Sequence, residues 1–170
     1  MSTATVVQAY RFAVDPASAQ VEVLARNAGA ARFAFNHMLA RLRAVGAQRE
    51  AEQSYGIVGD GLTPWQGWSL PALRRTWNQV KDQVAPWWPE CSKEAFNTGL
   101  DALARAMKNW ADSRSGKRKG KRVGFPRFKA KARTRRSIRF TTGTMRLDAA
   151  DRRHVVLGEV GTNSYARVDP

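Results

Sequence analysis

Residues 117–129 read Lys-Arg-Lys-Gly-Lys-Arg-Val-Gly-Phe-Pro-Arg-Phe-Lys, at the centre of the most basic part of the chain. Residues 113–147 contain 14 of the 29 Lys and Arg residues and none of the 14 Asp and Glu. The rest of the chain holds 15 basic and 14 acidic residues, so almost all of the net charge of +15 lies in this stretch. Such a concentrated positive field favours a polyanionic partner, and nucleic acid is the usual one.

Three interpretations of this charge are open: a flexible solvated tail, a nucleic-acid interface, or a basic surface for anionic membranes. Phe125, Pro126 and Phe128 interrupt the charges as candidate structural anchors, and a plain tail has no need of them. No amphipathic basic helix is visible, which disfavours the membrane. We call residues 113–140 the basic segment, and nucleic acid is its preferred partner. The predicted phosphate ligands are Lys117, Arg118, Lys119, Lys121, Arg122, Arg127, Lys129, Lys131, Arg133, Arg135, Arg136 and Arg139.

Length and composition exclude several classes of protein. A chain of 170 residues with 43% hydrophobic residues can bury one core but cannot build a large multidomain enzyme. A single cysteine, Cys91, rules out a disulfide framework, and with only His37 and His154 beside it we predict no metal site. Neither an apolar run near 18 residues nor a signal-peptide pattern is present, so we expect no membrane partner and a cytoplasmic protein, nucleoid-associated when bound to DNA.

Helical signals occupy residues 15–112. Asp15 and Pro16 predict an N-cap and first turn, and apolar residues then recur every three or four positions from Val21 to Leu42. Gly29 leaves open whether this stretch forms one long helix or two. Glycines and prolines mark residues 46–68 as a loop.

Two further helices are predicted after that loop. Ser69 and Ser92 each precede an apolar stripe of helical period and are suitable N-caps. The tryptophans inside these helices are expected in the core. For Trp65 and Trp68 in the loop, core packing and base stacking remain equally open.

Short strand signals flank the helices. The stretch before Asp15 suits one strand, and residues 138–141, 145–147 and 155–160 suit three more. We therefore expect the first strand to pair with the later ones, which gives an α+β fold, a β-module with three or four inserted helices. The sequence offers little for catalysis, because its carboxylates are spread singly and no phosphate-binding glycine loop is present. We expect no catalytic residues in this chain.

Several segments resemble the TnpB (OrfB-type) proteins of bacterial insertion sequences. The first is Tyr10-Arg11-Phe12, followed by Pro16 and Gln20, and the second, residues 29–39, reads Gly-Ala-Ala-Arg-Phe-Ala-Phe-Asn-His-Met-Leu. The third is Lys108-Asn109-Trp110. The most specific is the stretch 121–129, continued by Arg-Ser-Ile-Arg-Phe-Thr at 136–141.

The resemblance implies a transposase-related RNA-guided DNA endonuclease in which this portion binds guide RNA and target DNA. It implies a small split β-barrel (wedge-like) domain, with a helical recognition or helix-turn-helix-like domain inserted after its first strand. The expected boundaries are 1–14 for the first strand, 15–112 for the helical domain, 113–122 for a basic linker and 123–170 for an incomplete remainder of the β-module.

By position, the resemblance also implies that Lys93, Asn97 and Thr141 face the DNA motif beside the target. In the family, a nuclease domain that uses divalent metal follows this region, and we expect this chain to lack it and to need no cofactor of its own. An alternative is a catalytically incompetent remnant or interaction module. Such a module would need a separate nuclease chain or bind no nucleic acid.

Overall fold

A computed structural model describes residues 14–140, 145–147, 154–157 and 164–168. Most of these residues are helical, and no described helix combines the length and apolarity needed to cross a membrane. The elements, in chain order, are β1 (Val14–Asp15), α1 (Ser18–Ser54), α2 (Leu70–Val84), α3 (Lys93–Arg114), β2 (Met145–Leu147), β3 (His154–Leu157) and β4 (Ser164–Val168).

The first helix begins later than its sequence predicts. Asp15 belongs to β1, and the N-cap of α1 is Ala17, whose N–H donates to Gln20 Oε1 at 2.8 Å. A residue that precedes proline prefers extended backbone, so Pro16 favours a strand at Asp15 over a cap. The helix then runs unbroken through Gly29. Of the two possibilities left open by that glycine, one long helix is correct.

The apolar periodicity of the sequence did not predict the C-terminal part of α1. The helix continues to Ser54, through residues that glycine content had marked as loop. This last part carries mainly polar, exposed side chains, and Gln48 Nε2 donates to Glu52 Oε1 one turn away at 3.0 Å. A helix that buries no apolar face here leaves no periodic signal in the sequence.

The other two helices follow the prediction. Ser69 Oγ accepts from Ala72 N at 3.4 Å at the start of α2, and Ser92 Oγ accepts from Glu94 N at 3.2 Å at the start of α3. Trp77 of α2 is 4% exposed and stacks on Phe96 of α3, with ring centroids 5.1 Å apart. The predicted apolar stripes therefore form one core between the three described helices.

The core depends on a close crossing of α1 and α3. A Cβ placed on Gly99 would lie 2.0 Å from the backbone oxygen of Ala31, so only glycine allows the two backbones this near. Met38, Leu39 and Leu100, all fully buried, belong to the same apolar core.

A buried polar bridge fixes the start of α3 against α1. Asn27 Oδ1 accepts from the backbone N–H of Ser92 at 2.8 Å, and its Nδ2 donates to the carbonyl of Val23 at 2.9 Å. Both Asn27 and Ser92 are almost fully buried, so these bonds satisfy groups that water cannot reach.

The four short strands form an antiparallel sheet of order β1-β4-β3-β2. Val14 pairs with Val168, so the strand before the helices joins a strand near the end of the chain, as expected. Residues 138–140, predicted as strand, are irregular instead. The described strands do not close on themselves, so the split barrel is not confirmed and the fold is described as a helical unit with a small sheet.

Replacing Gly99 with Ala should destabilise the protein, because the new methyl group would meet the backbone of Ala31 and force the helices apart. Overpacking of this kind costs about 1–3 kcal/mol in free energy of unfolding. Gly29→Ala is the matched control: its Cβ would meet nothing within 4 Å, and we expect a gain of about 0.5–1 kcal/mol. Urea unfolding of both variants measures the difference, and equal midpoints would refute the close crossing.

His37 gives the fold a pH dependence. Its ring lies parallel to that of Phe33 at 5.9 Å, and its Nε2 has no hydrogen-bond partner among the described residues. Burial, and secondarily the charge of Arg41, hold the pKa of His37 below its ordinary value of 6.5. The folded state therefore binds this proton more weakly than the unfolded state does.

We expect the stability that neutral His37 contributes to be fully present above pH 6.5. It should disappear as the pH falls through the lowered pKa of His37 in the folded state. His37→Phe keeps a ring against Phe33 but cannot titrate. Its free energy of unfolding, measured between pH 7.5 and pH 5, should fall less than that of the natural protein. Identical pH profiles for both proteins would contradict the role assigned to His37.

Candidate nucleic-acid interface

Beyond the end of α3, the basic segment has no regular secondary structure, but hydrogen bonds hold its first turns. Gly116 and Gly120 adopt positive φ angles of 75° and 95°, which L side chains rarely tolerate. The N–H of Arg118 donates to the carbonyl of Asp112 at 3.0 Å, and the N–H of Val123 donates to Ser113 Oγ at 2.9 Å. These bonds turn the segment back after α3.

Two side chains of α1 hold the middle of the segment through its backbone. Asn36 Oδ1 accepts from the N–H of Lys129 at 2.8 Å, and Asn36 Nδ2 donates to the carbonyl of the same residue at 3.0 Å. Arg43 Nη2 donates to the carbonyl of Pro126 at 2.9 Å. Asn36 and Arg43 therefore lie on a face of α1 that the basic segment partly covers.

The predicted anchors contact the helices in three different ways. Pro126 is buried, and Phe125 packs edge-on against Trp110 of α3 with centroids 5.0 Å apart. Phe128 remains 50% exposed, and its ring faces the guanidinium of Arg43 at 4.8 Å. Of the three predicted anchors, Phe125 therefore contacts the core, Pro126 is buried, and Phe128 makes a cation–π contact at the surface.

The end of the segment is bound to α3. Thr98 Oγ1 accepts from the N–H of Arg139 at 3.0 Å, and it contacts the carbonyl of the same residue at 3.4 Å. Ile138 packs against the helical core. The Thr98 hydroxyl donates more closely to the carbonyl of Glu94, at 2.8 Å, so its main bond to the segment is the one that it accepts from Arg139.

Eleven of the twelve predicted phosphate ligands have exposed side chains, and the exception is Lys129. The Lys129 ammonium lies 4.2 Å from the centroid of the Phe35 ring, and burial, with a smaller effect from Arg105, lowers its pKa. Two exposed members have protein partners: Arg118 Nη1 donates to Asn109 Oδ1 at 3.2 Å, and Arg139 Nη1 lies 3.5 Å from Asp101 Oδ2. The arrangement is a fixed backbone with most of its charges facing solvent.

A polar cleft of about 450 Å³ adjoins the end of the segment. Asn97 lies in this cleft, and its Oδ1 accepts from Arg74 Nε at 3.1 Å. Lys93 is exposed at the first position of α3 and does not line the cleft. Thr141 lies outside the described residues. Asn97 thus shares a cleft with residues 137–139 of the basic segment.

Sequence reasoning missed three residues that position this surface: Asn36, Arg43 and Thr98. The one available signal was their polarity on helices whose other faces are apolar, which does not identify a partner 41 to 93 positions away. Within the described part of the chain, no three His, Cys, Asp or Glu residues come together as a metal site.

Comparison with known proteins gives two kinds of match. Residues 1–50 match the family HTH_OrfB_IS605, described as a helix-turn-helix domain. The whole chain is similar to "Putative RNA-guided DNA endonuclease Rv2885c" of Mycobacterium tuberculosis, with 45% identity over 163 residues. It is also similar to "Putative RNA-guided DNA endonuclease InsQ" of Escherichia coli, with 28% identity over 159 residues.

These alignments cover 92% and 94% of this chain but 33% of each relative. The chain therefore spans about a third of the length of the curated relatives it matches. The family match and the relatives together confirm the resemblance to TnpB (OrfB-type) proteins that the sequence motifs indicated.

Replacing Asn36 with Ala should release the middle of the basic segment, because both backbone bonds to Lys129 are lost. Two such bonds contribute about 1–3 kcal/mol to the free energy of unfolding. Limited trypsin digestion should cut faster at Arg127 and Lys129, as followed by mass spectrometry. Asn78→Ala, on the exposed face of α2, is the control and should leave cleavage unchanged. Equal cleavage rates in the two variants would contradict the role of Asn36 in holding the basic segment.

Proposed function

We propose that this chain is a nucleic-acid-binding part of a TnpB-like, transposase-type RNA-guided DNA endonuclease. The observation that carries the proposal is the basic segment, whose backbone is bound by Asn36, Arg43 and Thr98 while its cationic side chains face solvent. A fixed row of arginines and lysines suits contact with a phosphate backbone, because little conformational entropy is lost when it binds. The helix-turn-helix match at residues 1–50 supports the same partner.

The local electrostatics support phosphate as the ligand. Arg105 and Arg139 share the carboxylate of Asp101, and Lys108 pairs with Asp112. The basic segment contains no acidic residue, and the carboxylates of Asp101 and Asp112 beside it are paired with cations. A polyanion would therefore meet little repulsion along the segment, and its binding would release condensed counterions.

The names of the relatives and the resemblance of the sequence to TnpB proteins together suggest finer assignments. We propose guide RNA and target DNA as the polyanions, and Asn97 and Lys93, with Thr141, as residues near the DNA motif beside the target. The carboxylates and divalent metal needed for cleavage would come from outside this stretch of chain. The sheet of β1 to β4 would be part of a wedge-like barrel.

Binding to a duplex should weaken steeply with salt. If about six phosphates are contacted, the logarithm of the association constant should fall with the logarithm of salt concentration with a slope of about −5. Replacing Arg127 and Lys131 with Ala should weaken binding and make the slope shallower by about 2. Fluorescence anisotropy with a labelled duplex, at salt concentrations from about 50 to about 300 mM, measures both the affinity and the slope.

The matched control removes two exposed arginines outside the segment, Arg41 of α1 and Arg75 of α2. It lowers the net charge by the same amount, so a smaller effect than that of the segment variant assigns the contacts to the segment. Equal losses of affinity in the two variants would show that the phosphate contacts are not concentrated in the basic segment. A slope near zero would overturn the electrostatic proposal. Cleavage of a guide-matched DNA by the purified chain with divalent metal would overturn the assignment of catalysis to other residues.

A further inference from the structure

A second cleft adjoins the basic segment at Phe125, and four aromatic rings contribute to its lining. It is formed by the last turns of α1, the loop before α2 and the second half of α3, and its volume is about 820 Å³. It is larger than the polar cleft of about 450 Å³ at the end of the segment. Its rings belong to Trp65, Trp68, Trp110 and Phe125.

The loop that carries Trp65 is held in place although the ring itself is 68% exposed. Glu52 accepts from both the N–H and the hydroxyl of Thr63, the former at 2.7 Å, and these bonds lower the pKa of its carboxyl. Arg49 donates to the carbonyl of Thr63, and its guanidinium lies 4.6 Å from the centroid of the Trp65 ring. These bonds hold the loop so that the Trp65 ring stays exposed, and an exposed ring in a fixed position can stack on a flat ligand.

The charges around the cleft indicate the chemical class of that ligand. Arg43 and Arg114 line it together with one carboxylate, Glu50, and Arg49 adjoins Trp65. Phe125 joins the cleft to the basic segment, so a strand held on that segment passes its edge. An apolar peptide would use the rings but would place no negative charge beside Arg43, Arg49 and Arg114. A nucleotide uses both, since its base stacks on aromatic rings and its phosphate pairs with guanidinium groups.

We infer that this aromatic cleft takes an unstacked nucleobase from a single-stranded stretch of nucleic acid, with Trp65 as its stacking ring. The inference rests on the proposed function, because the basic segment would hold the neighbouring phosphates. Bases inside a duplex are stacked on each other and expose only their edges, so a duplex cannot fill the cleft. RNA and DNA strands share the required chemistry.

Trp65→Ala tests the inference, with labelled 12-nucleotide RNA and DNA single strands and the corresponding duplex as anisotropy probes. Stacking of one base contributes enough that its loss should weaken single-strand binding about 5- to 100-fold, while duplex binding stays unchanged. Trp65→Phe should restore most of the affinity. Tyr55→Ala is the matched control, because Tyr55 is 85% exposed and does not line the cleft. Circular dichroism of each variant verifies that the fold is kept.

The outcomes separate this inference from the proposed function. Loss of affinity for single strands alone supports it, and the more affected strand, RNA or DNA, identifies the source of the base. An unchanged single-strand affinity, or an equal loss on single strand and duplex, overturns it while leaving phosphate binding intact. Absence of all binding in the unsubstituted protein overturns the proposed function as well. A Trp65-dependent dimer in analytical ultracentrifugation would show that a second copy occupies the cleft, and would also overturn it.

Discussion

The close approach of α1 and α3 at Gly99 is the contact on which the other features of the surface depend. With the Gly99 Cα set against the backbone of Ala31, the two helices lie near enough for one irregular segment to bond with both. Asn36 and Arg43 project from α1, and Thr98, adjacent to Gly99, projects from α3. A wider helix separation would move Thr98 away from Asn36 and leave one end of the basic segment without its backbone partners.

Holding so many like charges in one segment is opposed by their mutual repulsion, and the structure offsets it without neutralising them. Most of the stabilising contacts are made by the backbone and by Phe125, Pro126 and Phe128, and one carboxylate, Asp101, pairs with Arg139. Each backbone hydrogen bond contributes only about 0.5–1.5 kcal/mol, so several are needed along the segment. Lys129 is the predicted phosphate ligand that is half-buried. Its ammonium group lies over the Phe35 ring, and burial lowers its pKa, so Lys129 anchors the segment more than it offers a free charge.

The surface on either side of the segment differs in chemistry. At the Arg139 end lies a polar cleft with Asn97 and Arg74, and near the middle of the segment, at Phe125, lies the aromatic cleft with Trp65. Polar groups suit the edges of paired bases, whereas rings suit the faces of unpaired ones. One basic segment thus connects two sites with different preferences, which agrees with a protein proposed to hold paired and unpaired nucleic acid together.

The amino-acid sequence alone determined the charge concentration, the capped helices α2 and α3, and the buried stripe of α1 from Ala31 to Leu42. These features depend on residues that are close in the chain, where helical period and serine caps leave a readable pattern. The family resemblance was also evident from local motifs. Only the tertiary structure decided which segment contacts Asn36, Arg43 and Thr98, that residues 138–140 are not a strand, and that Trp65 is exposed. Those outcomes depend on partners tens of residues away, and the polarity of a residue shows that it needs a partner but not which one.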